Sequence, residues 1–204
     1  MPATAHRDAE ATRQRLIRAG LDLFSSAEFQ STTTPLIARQ AGVAEGTIYR
    51  HFASKEQLLN EVYRGAQRWG LRQVKDLEGE RGLRTPERLT RLAQTLAEAA
   101  ERDQALLRML FRPVGDRHLD ERSREAHQEF MAGLQQLVAM GKSDGQVRSG
   151  PAELWAAVWL ALVGFALLRI TAKEWSADQP QVAQVFEAAW DAVANRPPVV
   201  EAAL

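Results

Sequence analysis

The chain has no cysteine among its 204 residues, which excludes disulfides, thiolate catalysis and cysteine-ligated zinc together. It has no excess of either charge, since 26 Lys and Arg are matched by 26 Asp and Glu. Total charge therefore does not announce a nucleic-acid partner. Even the first third is balanced, with Arg7, Arg13, Arg15, Arg18, Arg39, Arg50 and Lys55 against Asp8, Glu10, Asp22, Glu28, Glu45, Glu56 and Glu61. That balance counts against tight non-specific DNA binding, whose affinity follows the number of phosphates neutralised. A site-specific reader with its cations gathered on one face is still compatible. No stretch alternates apolar and polar residues with period 2, and no segment repeats, so strands and solenoids are not expected. Met1 to Ala9 contains no apolar signal core, and secretion is not indicated. The most apolar run, Leu154 to Leu168, falls short of the roughly 20 residues that cross a bilayer. It is expected to be a buried helix.

Catalytic motifs are missing as well. His6, His51, His118 and His127 are scattered without an i, i+4 ligand pair, there is no glycine-rich phosphate loop, and no serine sits in a nucleophile elbow. Adjacent acids such as Asp120 and Glu121 point to different sides of a helix. No enzyme, cofactor or metal is expected. What is present is material for a core: 45% of the residues are hydrophobic and 25% charged, the composition of a globule.

The apolar spacing predicts an all-α protein of about nine helices. Leu16, Ile17, Gly20, Leu23, Phe24 and Ala27 define a first helix over residues 8–27, preceded by a loose end in which His6 and Arg7 are placed to reach a phosphate if ordered. Ser54 and Gln57 make a capping box for a helix running to about Val74. The polar, glycine-bearing Glu78-Gly79-Glu80-Arg81-Gly82 is the candidate domain boundary. Thr85-Pro86 opens a further helix by the cap-then-proline device. Later helices follow over about 106–111, 120–140, 151–173 and 180–194, and Pro197-Pro198 starts a loose tail.

Between the first helix and Ser54 lies the most informative stretch, Thr33 to Phe52. Thr34 is suited to cap a short helix with Pro35 at its first position. Leu36, Ile37 and Ala41 form its apolar face, and Gly42 suits a left-handed turn. Val43, Ile48 and Phe52 then bury the inner side of a second short helix whose outer side carries Glu45, Thr47, Tyr49, Arg50 and His51. A short amphipathic helix of this kind, after a tight turn, is built to enter the DNA major groove.

The spacing Thr33, Ile37-Ala38, Ala41-Gly42-Val43, Gly46, Tyr49, His51-Phe52, Lys55 and Leu58 resembles the DNA-binding region of TetR-type (tetracycline-repressor-type) transcriptional regulators. The resemblance covers the first third of the chain. It implies a helix-turn-helix DNA-binding domain over residues 8–68 and a helical ligand-binding and dimerisation domain over 78–196. It implies DNA contacts from Thr33, Thr34, Ala44, Glu45, Gly46, Thr47, Tyr49, Arg50, His51 and Lys55. The hydroxyls and Lys55 would go to phosphates, Lys55 with the helix N-terminus beside it. Arg50 has two roles open, a fork to guanine or a backbone anchor. Glu45 departs from what phosphate would favour; it has two roles open, accepting from a cytosine amino group or, the favoured reading, a favourable charge at a helix N-terminus.

In the second part the resemblance implies an apolar effector cavity, with Met109, Arg112, His127, Phe130, Met131, Trp155 and Trp159 as candidate walls and Gln128 as a further polar candidate. It also implies a homodimer through the last two helices, with Leu162, Val163, Ala166, Phe186 and Trp190 as candidate contacts. Most of these aromatics would serve equally as ordinary core. The expected function is a cytoplasmic, nucleoid-associated repressor of bacterial type. It would leave a palindromic double-stranded operator when a small apolar or amphipathic effector binds. A ligand-independent structural DNA binder and a helical small-molecule-binding protein or enzyme are the competing readings.

Overall fold

In the computed structural model, residues 2–113 and 115–196 are described, and they contain nine helices and no strand. The elements are α1 Pro2–Ser26, α2 Thr34–Ala41, α3 Glu45–His51, α4 Lys55–Gly79, α5 Thr85–Arg102, α6 Gln104–Leu110, α7 Glu121–Ser143, α8 Ala152–Thr171 and α9 Pro180–Val193. The all-α expectation holds. Two helices are longer than expected: α1 starts at Pro2 rather than near Asp8, and α4 continues past Val74 to Gly79. The side chain of His6 and the tail from Pro197 lie outside the described residues.

Residue contacts divide the chain into two compact units. One combines residues up to Gly70 with Arg102–Phe130, and the other combines Leu71–Glu101 with the residues from Met131 onward. In the first unit Leu16, Ala19 and Phe24 of α1 are buried with Ile37 of α2, Ile48 of α3, Leu58, Leu59 and Val62 of α4, and Leu107, Met109 and Leu110 of α6. Gly70 marks a close approach within this unit. A Cβ there would lie 2.9 Å from Leu110 Cδ1 and 3.1 Å from Phe130 Cε2, so α4 passes α6 and α7 where only glycine fits.

The segment between α6 and α7 is fastened to this unit by polar contacts. Arg112 pairs with Asp116 at 2.5 Å and donates to the Phe24 carbonyl at 2.9 Å. Buried Asn60 donates to the His118 carbonyl at 2.8 Å and accepts from Asp120 N and Ser123 Oγ. Arg64, 8% exposed, reaches Glu61, Asp120 and Ser123. Each buried polar group here is joined to a complementary one, which offsets its desolvation.

In the second unit Leu89, Leu92 and Leu96 of α5, Leu134, Leu137 and Val138 of α7, and Trp159, Val163, Leu167 and Ile170 of α8 are buried, with Val182, Phe186, Ala189 and Val193 of α9. Buried Arg88 spends its guanidinium on three carbonyls, those of Leu83, Glu78 and Glu80, at 2.8–3.1 Å. It thereby closes the turn after α4. An isolated antiparallel bridge, Val147 to Ala194, ties the α7–α8 loop to the end of α9.

Candidate nucleic-acid interface

Local chemistry shapes α2 and α3. The N-cap of α2 is Thr33, one residue before the expected Thr34, and its hydroxyl accepts from Leu36 N at 3.4 Å. Pro35 therefore falls in the second helical position, where its missing N–H is still harmless. This frees Thr34, whose Oγ1 lies 3.3 Å from the Tyr49 hydroxyl. At the other end Gly42 adopts φ +65° and its N–H reaches the Arg39 carbonyl, while Val43 N bonds the Ala38 carbonyl at 3.0 Å. A Cβ at Gly42 would meet nothing closer than Arg15 Nη1 at 3.9 Å. Glycine is needed there for its left-handed backbone, not for space.

The turn sends α3 off as a seven-residue helix anchored by Ile48, which is fully buried, and followed by buried Phe52. Ala44 is its N-cap without a side-chain bond, and Glu45 stands exposed in its first turn, a favourable place for an acid. Nothing lies within 4 Å of a Cβ built at Gly46. Tyr49 is 57% exposed, Arg50 is exposed, and Thr47 and His51 are half-buried. Nine expected residues, Thr33, Thr34, Ala44, Glu45, Gly46, Thr47, Tyr49, Arg50 and His51, thus lie on α3 or at the start of α2. Among the described residues Arg50 has no ion-pair partner, nor has Arg39, exposed in the last turn of α2. Arg39 was missed in the sequence, although its place opposite the buried Ile37 and Ala38 was a usable signal.

Lys55 differs from the expectation. Its ammonium does not stand free at the start of α4. It donates to the carbonyls of Phe29 and Thr32, each at 2.7 Å, and lies 4.0 Å from the centre of the Phe29 ring. That ring also stacks on His118 at 3.9 Å. Two of the three ammonium hydrogens are committed to the loop before α2, so Lys55 holds the loop rather than presenting a cation for phosphate. The capping box is also partial: Ser54 Oγ accepts from Gln57 N, but the Gln57 side chain reaches back to Ala53 N instead of the cap residue's own N–H.

The expected effector residues fall in both units. Met109, Arg112, His127 and Phe130 belong to the first unit, Met131, Trp155 and Trp159 to the second. Met109, Phe130 and Trp159 are buried core. Trp155 donates to the Ser149 carbonyl at 2.9 Å under Arg148. Arg112 lines a surface cavity of about 870 Å³ formed by the ends of α1 and α6. Two clefts in the second unit, about 250 and 380 Å³, are lined chiefly by α5 and α9 and include none of the seven.

The candidate dimer residues divide too. Val163 and Ala166 are fully buried in their own unit and have no surface to offer a partner. Phe186 is also buried, and Leu162 and Trp190 are half-buried. The exposed apolar residues of α8 are instead Leu154 (48%), Phe165 (45%) and Leu168 (61%), with Ala157 and Ala161 exposed between them. By length and composition α8 is apolar enough to cross a membrane, and 39% of its most apolar window is buried within the chain. It is therefore less enclosed than its composition suggested.

Known proteins place this arrangement. Residues 16–62 match the pattern of bacterial regulatory proteins of the tetR family, and residues 81–195, more than half of the chain, match the tetracyclin repressor-like C-terminal domain. The chain is 44% identical over 55 residues to the HTH-type transcriptional regulator SrpR of Pseudomonas putida, and 38% identical over 63 residues to AcrR of Shigella flexneri. These matches cover 27% and 31% of the chain but only 26% and 29% of the relatives. Across nearly the whole chain it is similar in structure to a TetR family regulator from Marinobacter aquaeolei VT8, at TM-score 0.80 and 23% identity, with 94% of this chain and 100% of that one covered. A second such structure, from Shewanella sp. PV-4, has TM-score 0.71 and 26% identity over 91% of this chain and 99% of that one. The chain belongs to the TetR family of bacterial transcriptional regulators.

Proposed function

We propose that the protein is a homodimeric repressor that acts in the cytoplasm by binding rather than catalysis. It seats the α3 helices of its two subunits in successive major grooves of a palindromic operator. The observation that carries this is the outward face of α3: a short helix locked by Ile48, with Gly46 open and Tyr49 and Arg50 exposed. Thr33, Thr34 and Tyr49 supply hydroxyls to phosphate, and Arg39 adds a cation beside them. The dimer forms through α8 and α9. Leu154, Ala157, Ala161, Phe165 and Leu168 recur at intervals of three, four, four and three residues, the spacing of one helix face that needs a covering partner. A small apolar or amphipathic effector releases the DNA by favouring a dimer whose two reading helices no longer match the operator.

The test is fluorescence anisotropy with DNA flanking the coding region, at low and high salt, for wild type, Arg50→Ala and Tyr49→Ala. Salt-sensitive binding weakened by either substitution is expected. Equal affinity of all three proteins would dispose of α3 as the reader. A second reading, a DNA binder with no effector, is supported by the burial of Met109, Phe130 and Trp159 as plain core. Thermal shift and operator release against a panel of apolar molecules separate the two.

A further inference from the structure

Gly46 is a glycine that the fold does not ask for. Its φ is not positive, and a Cβ built on it would meet nothing within 4 Å. It therefore serves neither a left-handed backbone nor a close neighbour within the chain. Glycine also weakens a helix relative to alanine, and α3 has only seven residues. Its place on the helix shows where the spare room lies. Counted at about 100° per residue from Ile48, Gly46 and Arg50 each fall about 160° round, at the centre of the outer face, and Thr47 and Tyr49 about 100° round, on its flanks. Ile48 is fully buried, and Gly46 and Arg50 are both exposed. A helical side chain leans back toward the turn before it, so Arg50 projects toward the side that Gly46 leaves open.

We propose that Arg50 is the base-reading residue of α3, that the base is guanine, and that Gly46 lets the helix sink far enough into the groove for the contact to form. This rests on the operator-binding reading above and adds the base that is read. The flanks and the centre divide the work. The Tyr49 hydroxyl lies 3.3 Å from Thr34 Oγ1, which sets the hydroxyls that suit phosphate on one flank, facing a groove wall when the centre faces the floor. Arg50 has no ion-pair partner among the described residues, so its guanidinium reaches the floor uncommitted.

The chemistry of the guanidinium selects the base. It donates and never accepts. In the major groove guanine offers two acceptors, O6 and N7, in a spacing that takes both prongs of the fork. Adenine sets one acceptor beside a donor, thymine one acceptor beside a methyl group, and cytosine offers a donor. A side chain at position 46 would hold the helix off the floor and leave Arg50 short of those acceptors.

The experiment is selection of the full-length protein on DNA duplexes with a randomised core, followed by affinity measurements on the selected duplex. Wild type is expected to fix a G·C pair at one position of each half-site. Replacing that guanine with 7-deazaguanine, which lacks the N7 acceptor, should weaken binding about fivefold or more. Arg50→Ala should accept any base at that position, keep the other preferences and ignore the 7-deaza change. Arg50→Lys keeps the charge without the fork and should recover only part of the preference. Gly46→Ala should raise the melting temperature yet weaken the selected duplex by about the tenfold that one lost base contact costs. A glycine with a purely structural role would not move stability and binding in opposite directions. Unchanged preferences in Arg50→Ala, no loss with 7-deazaguanine, or wild-type affinity in Gly46→Ala would overturn the proposal. So would a loss in Arg50→Ala that is uniform across sequences with a salt slope lower by about one, which puts Arg50 on phosphate. If wild type selects no sequence at all, the operator reading falls and this inference with it. A selected site in which no position answers to Arg50 removes this inference alone.

Discussion

Lys55 and Arg50 are both cations of the reading unit, yet they do different work, and salt separates them. Lys55 is committed to two carbonyls and the Phe29 ring. Lys55→Met leaves those carbonyls without their charged donor and should destabilise the protein by about 2 kcal/mol in urea unfolding. It should weaken operator binding without changing the slope of log affinity against log salt. Arg50→Ala should cost little stability, and if Arg50 sits on phosphate it should lower that slope by about one. A slope that falls in Lys55→Met would return Lys55 to the phosphate backbone. Acid tests the same unit through Glu61, Asp116 and Asp120. Burial works against their charged forms, but Arg64 and Arg68 for Glu61, His118 N–H and Arg112 for Asp116, and Ser123 and Arg64 for Asp120 outweigh it and hold all three below the ordinary carboxylate range. The unfolded chain binds these protons at roughly pH 4 and the folded chain only below that. Their stabilisation is therefore whole above about pH 5 and lost as pH falls through the folded values. Melting temperature followed from pH 6 to pH 3 should drop, and Asp116→Asn should flatten the fall.

At the scale of elements, the proposed dimer rests on the exposed face of α8. Phe165→Lys and Leu168→Lys place charges on residues already open to solvent in the single chain, so each should leave the fold intact. Light scattering should show the dimer giving way to monomer, and operator affinity should fall with it, because paired half-sites need paired readers. Dimers persisting in both variants would move the interface elsewhere. The contrast between α2–α3 and α8 shows what the sequence could reveal. The reading unit was legible because its signals are local: Pro35, Gly42 and the spacing of Ile48 and Phe52 act within a few residues. The cap shifted by one because Thr33 and Thr34 offer the same hydroxyl. In α8 apolar residues run nearly all round the helix, so no stripe marked which side is buried at home, and Val163 and Ala166 were placed on the wrong one. The role of Lys55 was hidden for another reason. Its partners lie 26 and 23 residues away, and a lone lysine carries no sign of a distant carbonyl.

For the molecule as a whole, the reading helix is not self-contained. The unit that holds it includes Arg102–Phe130, far along the chain. Those residues cover and fasten what precedes them: Asp103 pairs with Arg18, Arg112 holds the Phe24 carbonyl, His118 stacks on Phe29, and Asp120 and Ser123 meet Arg64 and Asn60. A fragment ending at Gly70 keeps every residue of the helix-turn-helix yet loses all of these partners. It also loses Leu107, Met109 and Leu110, each 2% exposed or less. Arg64 and Asn60 would be left facing water where they had matched groups. Small units have little stability to spare, a few kcal/mol in all. Residues 1–70 should therefore unfold without a cooperative transition in circular dichroism and bind operator DNA no better than unrelated DNA. Adding residues 102–130 through a flexible linker should restore cooperative melting. If the short fragment melts cooperatively and reads its operator, the contacts from α6 and α7 are ornamental to reading. If only the longer one does, α6 and the first part of α7 belong to the same folding unit as the helix that reads DNA, and any change in them is felt by that unit from within.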